Sequence, residues 1–432
     1  MALNRTRTYV GFGFGAIQAG LFLYEAYQSG AFQRLVVAEI IPEVVENVRR
    51  ANNHYAVNIA QLDSVLPVTI GPIEIENPSV NADRARLVEA IAEAEEIGTA
   101  VPSPSFYTTD GPQSLHRVLA EGLCRKVAND GPRCVIYTAE NHHRAAQLLE
   151  ETVMEAVPLR KQDSVRSRVR FLNTVIGKMS GIISGRAEIQ AQQLTPLTPN
   201  ELRAFLVEAF NRILIEKVDF GTSSPFFQRG IAIFEEKNNL RPFEEAKLYG
   251  HNATHALAAY LGQLVGVEHI AELKAVPGAI SFLRHAFLDE SGQALIRKYG
   301  GQDPLFTPAG YRHYADDLLQ RMMSPYLRDT VERVGRDPQR KLGWNDRLIG
   351  TMRLALSQGI TPRRYALGAA AALVAMDSTL LHQTSRVVDV LSSLWGTSKP
   401  LDADRSVVLA LVEESLDTLR LHQTSSFMTI FE

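Results

Sequence analysis

A glycine-rich turn between an apolar strand and an apolar helix constrains the fold of this chain most strongly. An apolar run ends at Gly11, and a helix is predicted from Ala16 to Ser29. The spacing between them follows G-x-G-x-x-A, in which the first glycine permits a tight turn and the second lets the backbone approach a pyrophosphate. The positive end of the helix attracts that anion. The predicted dinucleotide-binding residues of the turn are Gly11, Gly13, Gly15 and Ala16.

An acidic residue ends the next predicted strand, which runs from Arg34 to Glu39. A carboxylate at this distance from the turn accepts hydrogen bonds from the adenosine ribose and repels a 2′-phosphate. The pattern therefore predicts NAD as the cofactor. Arg49 and Arg50 weaken this preference, because a nearby arginine suits a 2′-phosphate. A glycine-rich turn beside a solvated glutamate, without a nucleotide, is the structural alternative.

Short apolar runs alternate with helical stretches through the first half of the chain. This order predicts an α/β fold that begins with a Rossmann-type parallel sheet domain. From about Pro199 apolar residues recur at helical spacing, beginning with a helix predicted over Asn200 to Glu216. A mainly α-helical C-terminal domain is expected, so we place the two domains at residues 1–195 and 196–432. His54 to Glu76 is expected to form an antiparallel excursion from the sheet.

Charge and cysteine content exclude several classes of function. The chain has 432 residues with 45 Lys+Arg and 48 Asp+Glu, and this balance offers no basic field for nucleic acid or anionic lipid. Two cysteines cannot form a disulfide framework, so a reducing cytoplasm is the expected compartment. Tyr9 to Tyr24 is apolar but interrupted by glycines, and neither a signal peptide nor a membrane span is expected.

Polar side chains gather near the start of an apolar helix. Lys247, His251 and His255 are spaced four residues apart and share one helix face, with Asn252 close to it. A lysine desolvated by apolar neighbours has a lowered pKa and can take a hydroxyl proton while hydride leaves the carbon. A solvated lysine with core histidines is the alternative. A metal at the two histidines is disfavoured, because no glutamate lies between them and no third ligand is apparent.

The same segment resembles a known enzyme family. Lys247, Asn252 and His255 match the K-x-x-x-x-N-x-x-H motif of the polyol-specific long-chain dehydrogenases, also called the mannitol dehydrogenase family. The resemblance extends from Gly11 to about Gly368. The supporting segments are Ala256 to Gly262, Asp289 to Gly292, Leu295 to Gly300, Pro325 to Leu327, Val331 to Pro338, Arg340 to Leu342 and Asp346 to Ile349.

The resemblance implies a metal-independent, NAD-dependent dehydrogenase with its active site between the two domains. By this similarity Lys247 is the general base, Asn252 helps to hold the developing alkoxide, and His255 orients substrate hydroxyls. Thr138 to Asn141 resembles the family's C-[ED]-N segment, which makes Asn141 a second amide at the oxyanion. The segment that resembles the family's T-A-V-G beside the cofactor consists of Thr99, Ala100 and Val101.

Two places depart from the family pattern. Gly177 and Lys178 stand where the family has an acidic residue followed by arginine, and Pro102 stands where a glycine is expected. Pro102 removes a backbone N–H and stiffens a cofactor loop. These departures leave an alternative function open, in which the protein is an oxidoreductase of the same family that acts on a non-phosphorylated polyol, a hexonate or a hexuronate. A nucleotide-sensing protein without turnover is the alternative outside the enzymes.

Basic residues in the later segments favour a phosphorylated substrate. Guanidinium groups suit bidentate phosphate binding, and R-V-G-R-D-P-x-R-K-L resembles the family members that use phosphorylated polyols. A hexitol 1-phosphate and a ketohexose 6-phosphate are the expected substrate pair, with a monomer as the working assumption. Interleaved acids offer the alternative of weak surface ion pairs. The candidate phosphate ligands are Arg333, Arg336, Arg340 and Lys341, with Arg347 nearby.

Overall fold

The computed structural model describes residues 7–210, 212–221, 227–396, 402–425 and 427–431. The chain divides into two compact units, Met1–Leu240 and Arg241–Glu432. In the described ranges, the strands all belong to the first unit and the second unit is built from helices. The predicted class, a Rossmann-type sheet domain followed by a helical domain, is confirmed. The division lies after Leu240, whereas the sequence prediction placed it between residues 195 and 196.

The first unit contains two sheets. Their strands are β1 (Thr8–Phe12), β2 (Arg34–Ala38), β3 (Tyr55–Ala60), β4 (Val65–Ile70), β5 (Glu74–Glu76), β6 (Glu96–Thr99), β7 (Cys134–Thr138), β8 (Val169–Ile176), β9 (Ser180–Ser184), β10 (Arg203–Glu208), β11 (Ile213–Glu216) and β12 (Phe234–Lys237).

The larger sheet has the order β12-β11-β8-β7-β6-β1-β2-β5, and its strands are parallel except for the antiparallel pair β8 and β11. Phe12 at the end of β1 is in register with Ala38 of β2 and Thr99 of β6, and Thr99 is in register with Thr138 of β7. The carboxyl ends of these four strands therefore meet at one edge of the sheet. Ligands of open α/β sheets bind at such an edge.

The smaller sheet has the order β4-β3-β10-β9. Strands β3 and β4 pair antiparallel, as expected for the excursion, whereas β5 returns to the larger sheet beside β2. The helix predicted over Asn200 to Glu216 is wrong, because this segment forms β10 and β11. The spacing of apolar residues alone does not show whether a short apolar run is a strand or a buried helix. Here the pairing of β10 with β3 and β9, and of β11 with β8, decides the structure.

Helices cover the sheets of the first unit. The helix after the glycine turn begins at Ala16, which is buried, and includes a π-helical stretch at Gln18–Leu23. A Cβ atom on Gly20 would lie 2.6 Å from the side chain of Val207, so this helix packs closely on β10. The α-helices of this unit are α1 (Tyr24–Gln28), α2 (Pro42–Arg50), α3 (Asn81–Glu93), α4 (Leu115–Ala128), α5 (Ala145–Ala156), α6 (Leu159–Arg168) and α7 (Arg186–Ala191).

The second unit is a helical bundle. Two π-helical stretches occur in its described residues, Ala246–Asn252 and Ala286–Gly292, and each is continuous with an α-helix on both sides. Within the described ranges, none of the helices combines the length and hydropathy that crossing a membrane requires. The α-helices are α8 (Arg241–Glu245), α9 (Ala253–Leu264), α10 (Ala279–His285), α11 (Gln293–Tyr299), α12 (Pro308–Met322), α13 (Val331–Gly335), α14 (Pro338–Lys341), α15 (Ile349–Ser357), α16 (Arg363–Met376), α17 (Thr384–Leu394) and α18 (Ala403–Ser425).

Candidate active site

Two glycines of the turn, Gly13 and Gly15, differ in the space beside their Cα atoms. Gly13 has a φ of 80°, which favours glycine, and its N–H donates to the Ala38 carbonyl at 3.0 Å. A Cβ atom on Gly13 would lie 2.7 Å from the Ala100 carbonyl oxygen. Apart from Gly15 itself and its neighbours along the chain, no described atom lies within 4 Å of a Cβ built on Gly15. The fold therefore requires a glycine at Gly13, while the space for a ligand lies at Gly15.

Glu39 points back to the glycine turn. Its carboxylate accepts hydrogen bonds from the N–H of Phe14 at 3.1 Å and from the N–H of Ile41 at 2.8 Å. The side chain belongs to a buried residue directly after β2. Each carboxylate oxygen keeps acceptor capacity beyond one N–H bond. The predicted ribose-binding residue thus lies beside the predicted pyrophosphate-binding turn.

Arg49, a candidate ligand for a 2′-phosphate from the sequence, instead pairs with two carboxylates of the protein. Its guanidinium donates to Glu76 at 2.8 Å and to Asp83 at 2.7 Å, and both carboxylates are buried. Arg50 forms an exposed ion pair with Glu46. Turning Arg49 toward a phosphate would weaken two partly buried hydrogen bonds, which carries a free-energy cost. The arrangement favours NAD over NADP.

Glu140 connects the segment predicted to lie beside the cofactor, which contains Thr99 and Val101, to the segment that contains Asn141. Its buried carboxylate accepts from the Thr99 hydroxyl at 3.0 Å, the Val101 N–H at 2.9 Å and the Tyr107 hydroxyl at 2.6 Å. Asn141 follows directly and is exposed at the same edge of the sheet. Sequence reasoning missed the role of Glu140, although the glutamate stands in the segment that resembles C-[ED]-N. A carboxylate inside such a motif was the available signal.

The Gly177–Lys178 departure places a buried lysine after β8. Burial lowers the pKa of Lys178 to about 8, while the charges of Glu208 and Glu25 oppose this decrease. Removing the charge of one partner would leave a buried charge uncompensated and would destabilise the first unit. The departure therefore introduces a charge cluster inside the sheet domain.

The π-helical stretch at Ala246–Asn252 explains the spacing of the lysine and the asparagine. In a π-helix the backbone bonds run from residue i to i+5, so residues five apart lie on one side of the turn. Lys247 and Asn252 are five residues apart and both lie in this stretch. In the α-helical geometry assumed from the sequence, residues five apart point in different directions. The K-x-x-x-x-N spacing therefore matches the hydrogen-bonding period of the local π-helical turn.

Lys247 has the electrostatic surroundings of a general base. Burial, followed by the positive charge of Arg347, lowers the pKa of Lys247 to about 8, and Glu244 opposes the decrease. A base works best when its pKa lies near the working pH. This pKa fits the role that the sequence predicts for Lys247, and the role itself stays a prediction.

His255 is held uncharged beside an aspartate. Its Nε2 lies 3.3 Å from Oδ2 of Asp329, which is buried. Burial and the charges of Arg333, Arg347 and Lys341 lower the pKa of His255 to about 3. Burial also lowers the pKa of His251 well below its usual value. In the described part of the chain, no group of three histidine, cysteine, aspartate or glutamate side chains could hold a metal ion.

The four candidate phosphate ligands divide into two pairs. Lys341 is buried, lies 5.8 Å from the ring centre of Tyr260, and has its pKa lowered to about 8 by burial and then by Arg347 and Arg340. Arg333 forms an ion pair with Asp329. The charges of Lys341 and Arg333 both act on His255. Arg336 and Arg340, the other pair, are not among the charges that act on His255; both are exposed, as Arg333 is, and Arg340 pairs with Asp337 at 3.3 Å.

A buried hydroxyl chain supports the segment between Asn252 and His255. The Thr254 hydroxyl lies 2.8 Å from the hydroxyl of Tyr365, which donates to Ser291 at 3.2 Å. Glu290 accepts from the Tyr365 N–H at 3.1 Å and from the Arg364 N–H at 2.9 Å. Glu290 thereby binds the orphan N–H groups at the start of α16. The Asp289 to Gly292 segment, quoted from the sequence for resemblance alone, has this structural role.

Fold and site together define a two-domain oxidoreductase with a Rossmann-type nucleotide-binding domain. The family model of the mannitol dehydrogenase Rossmann domain matches residues 7–228, and that of the mannitol dehydrogenase C-terminal domain matches residues 239–427. The chain belongs to the mannitol dehydrogenase family and is an enzyme. The break between the two matches lies close to the structural division after Leu240.

Two solved structures resemble the whole chain. Mannitol 2-dehydrogenase from Pseudomonas fluorescens, in a ternary complex with NAD and D-mannitol, is 15% identical, with a TM-score of 0.70 over 98% of this chain and 94% of that chain. A D-sorbitol dehydrogenase in substrate-free form is 14% identical, with a TM-score of 0.74 over 99% of this chain and 96% of that chain. At these identities the likeness concerns the fold.

Proposed function

We propose that this enzyme is an NAD-dependent dehydrogenase that interconverts a hexitol 1-phosphate and a ketohexose 6-phosphate. The reaction that we favour is D-mannitol 1-phosphate + NAD to D-fructose 6-phosphate + NADH, the activity of a mannitol-1-phosphate 5-dehydrogenase. One observation supports the phosphorylated substrate: the charges of Arg333, Arg347 and Lys341 all act on His255, and Lys341 is buried. Arg333 pairs with Asp329 and Arg347 pairs with Asp346, whereas the ammonium group of Lys341 donates to the uncharged carbonyl of Arg336. A buried cation needs an opposite charge. A phosphate supplies it to Lys341, and a neutral polyol does not.

The residues of the first unit fit NAD. The open side of the turn at Gly15 suits a pyrophosphate, and Glu39 beside the turn suits the adenosine ribose. Thr99, Ala100 and Val101 lie at the same sheet edge, held by Glu140. The chemistry that NAD supplies when bound is acceptance of a hydride at its nicotinamide ring. The matched mannitol 2-dehydrogenase was solved with NAD, which agrees with this assignment.

Lys247 handles the proton in this proposal. With its pKa lowered to about 8, about one tenth of Lys247 is unprotonated at pH 7, and this form takes the proton of the hydroxyl being oxidised. Asn252, five residues further on, donates an amide hydrogen bond to the developing alkoxide. Asn141 supplies the second amide, and His255 orients a neighbouring hydroxyl. No step of this proton transfer requires a metal ion.

A hexonate or hexuronate is the second candidate substrate, because a carboxylate also offers an anion to Lys341 and Arg347.

Steady-state kinetics with NAD and NADP, each combined with hexitol 1-phosphates, free hexitols and hexonates, separates the candidates. We expect the highest kcat/KM for NAD with a hexitol 1-phosphate. Equal use of free mannitol would contradict the phosphate proposal. Nucleotide binding without turnover of any of these compounds would instead indicate a nucleotide-sensing protein.

A further inference from the structure

Asp329 is a buried carboxylate between two residues of the site. Its Oδ2 atom lies 3.3 Å from His255 Nε2, and its Oδ1 atom accepts a hydrogen bond from Arg333. Among the described residues, neither His255 Nε2 nor Asp329 Oδ2 has a well-aligned hydrogen bond. Catalytic hydrogen bonds are often loose without substrate and tighten when it binds. The 3.3 Å contact has this character.

The burial of Oδ2 points to His255 as its partner. Arg333 pairs with the Oδ1 atom of Asp329, and this ion pair does not require the Oδ2 atom to be buried. Oδ2 is nevertheless buried. Burying an acceptor without a partner costs about 1–3 kcal/mol. His255 Nε2 is the donor within reach, so this cost is offset when Nε2 carries a hydrogen.

The backbone of Asp329 is anchored on both sides. Its carbonyl oxygen accepts from the Ile270 N–H at 2.9 Å, and the Val331 N–H donates to the Glu268 carbonyl at 2.9 Å. Helix α13 begins at Val331 and packs on α9, which carries His255. Asp329 itself lies in an irregular segment, but its backbone is tied to the residues that follow α9, and α13 directly after it packs on α9.

The imidazole of His255 carries a single N–H at neutral pH, because burial and nearby cations keep the ring uncharged. Asp329 does not reverse this, since Arg333 already neutralises its charge. The two ring nitrogens then have different roles, and the neighbour of one nitrogen decides where the proton lies.

We propose that Asp329 is a positioning residue that keeps the His255 proton on Nε2 and leaves Nδ1 to accept a hydrogen bond from a substrate hydroxyl. This inference rests on the proposed function, in which His255 orients hydroxyl groups of the polyol. Asp329 also fixes Arg333, a candidate phosphate ligand. One carboxylate thus aligns the group that orients a hydroxyl and a group that suits the phosphate.

A double-mutant cycle tests whether Asp329 acts through His255. We expect Asp329→Asn to lower kcat about 10-fold with the hexitol phosphate, and to have less than about a two-fold effect in a His255→Ala background. Asp337→Asn is the matched control: Asp337 pairs with Arg340 and has a φ of 58°, which asparagine tolerates. Independent, multiplicative losses of Asp329 and His255 would overturn the proposal.

The tautomer of His255 gives a second readout that does not depend on activity. In ¹⁵N-histidine-labelled full-length protein, with the signal assigned by His255→Ala, we expect the Nε2–H form in the wild type and a changed tautomer population in Asp329→Asn. An Nδ1–H form in the wild type, or no change in the variant, would overturn the proposal. If the wild type turns over no polyol, the proposed function fails while this measurement still decides the role of Asp329.

Discussion

Arg347 is the charge that we expect to set the pH range of Lys247. Burial acts first and Arg347 second in lowering the pKa of Lys247 from 10.5 to about 8. Replacing Arg347 by glutamine removes a like charge and leaves most of the burial unchanged. The pKa of Lys247 is therefore expected to rise, because its protonated form is no longer repelled.

The size of this rise follows from the same surroundings. The whole decrease in the pKa of Lys247, from 10.5 to about 8, sets its upper limit. We expect a rise of about one unit, or about 1.4 kcal/mol, for the loss of one nearby charge. At pH 7 about one tenth of a lysine with a pKa of 8 is unprotonated, against about one hundredth with a pKa of 9. The kcat/KM for oxidation should fall about 10-fold more at pH 7 than above about pH 10, where the remaining loss reflects phosphate binding by Arg347 alone.

The assay is the pH dependence of kcat/KM for hexitol phosphate oxidation at saturating NAD. Oxidation requires unprotonated Lys247, so its rate rises with pH through the pKa, and ketose reduction shows the opposite trend. Arg353→Gln is the matched control, because Arg353 stacks over Trp344 at 4.2 Å and is not among the charges that shift Lys247. An unchanged midpoint with a uniform loss at every pH would refute the reasoning, since Arg347 would then act on binding alone.

Three further substitutions test separate parts of the site. Lys247→Ala should lower kcat about 100-fold or more while NADH binding, followed by fluorescence, remains; unchanged turnover would remove Lys247 as the base. Gly15→Val should leave the melting temperature unchanged and weaken NAD about 10-fold or more by calorimetry, whereas Gly13→Ala should lower the melting temperature through its contact with the Ala100 carbonyl. Lys341→Met should raise KM for the hexitol phosphate about 10-fold at similar kcat, and an equal effect on a free hexitol would contradict phosphate binding there.

The cofactor end of the fold could be predicted because its determinants are local. Gly11 lies in β1, which ends directly before Gly13, and Glu39 directly follows β2; both strands are short and largely apolar. By contrast, Asn200 to Glu216 forms strands only through pairing with residues distant in the chain. Single-segment periodicity contains no information about such partners.

The sequence predicts which residues belong to the helical part of the site, but it does not predict how their side chains are arranged. The sequence places Lys247, Asn252 and His255 on one helix, yet the π-helical turn that aligns the first two depends on packing in the bundle. Asp329 escaped sequence reasoning because it lies far from His255 along the chain and within a segment dominated by arginines. Its role emerges only from the 3.3 Å contact with His255.

The account's central claim is that Lys247 faces the oxidised hydroxyl of a phosphorylated polyol. A crystal structure of the enzyme with NAD and a hexitol 1-phosphate tests this claim most directly. We predict that Nζ of Lys247 lies within hydrogen-bond distance of the hydroxyl being oxidised, and that the phosphate contacts Lys341 or Arg347. A phosphate bound away from both residues, or a polyol hydroxyl out of reach of Lys247, would contradict the account.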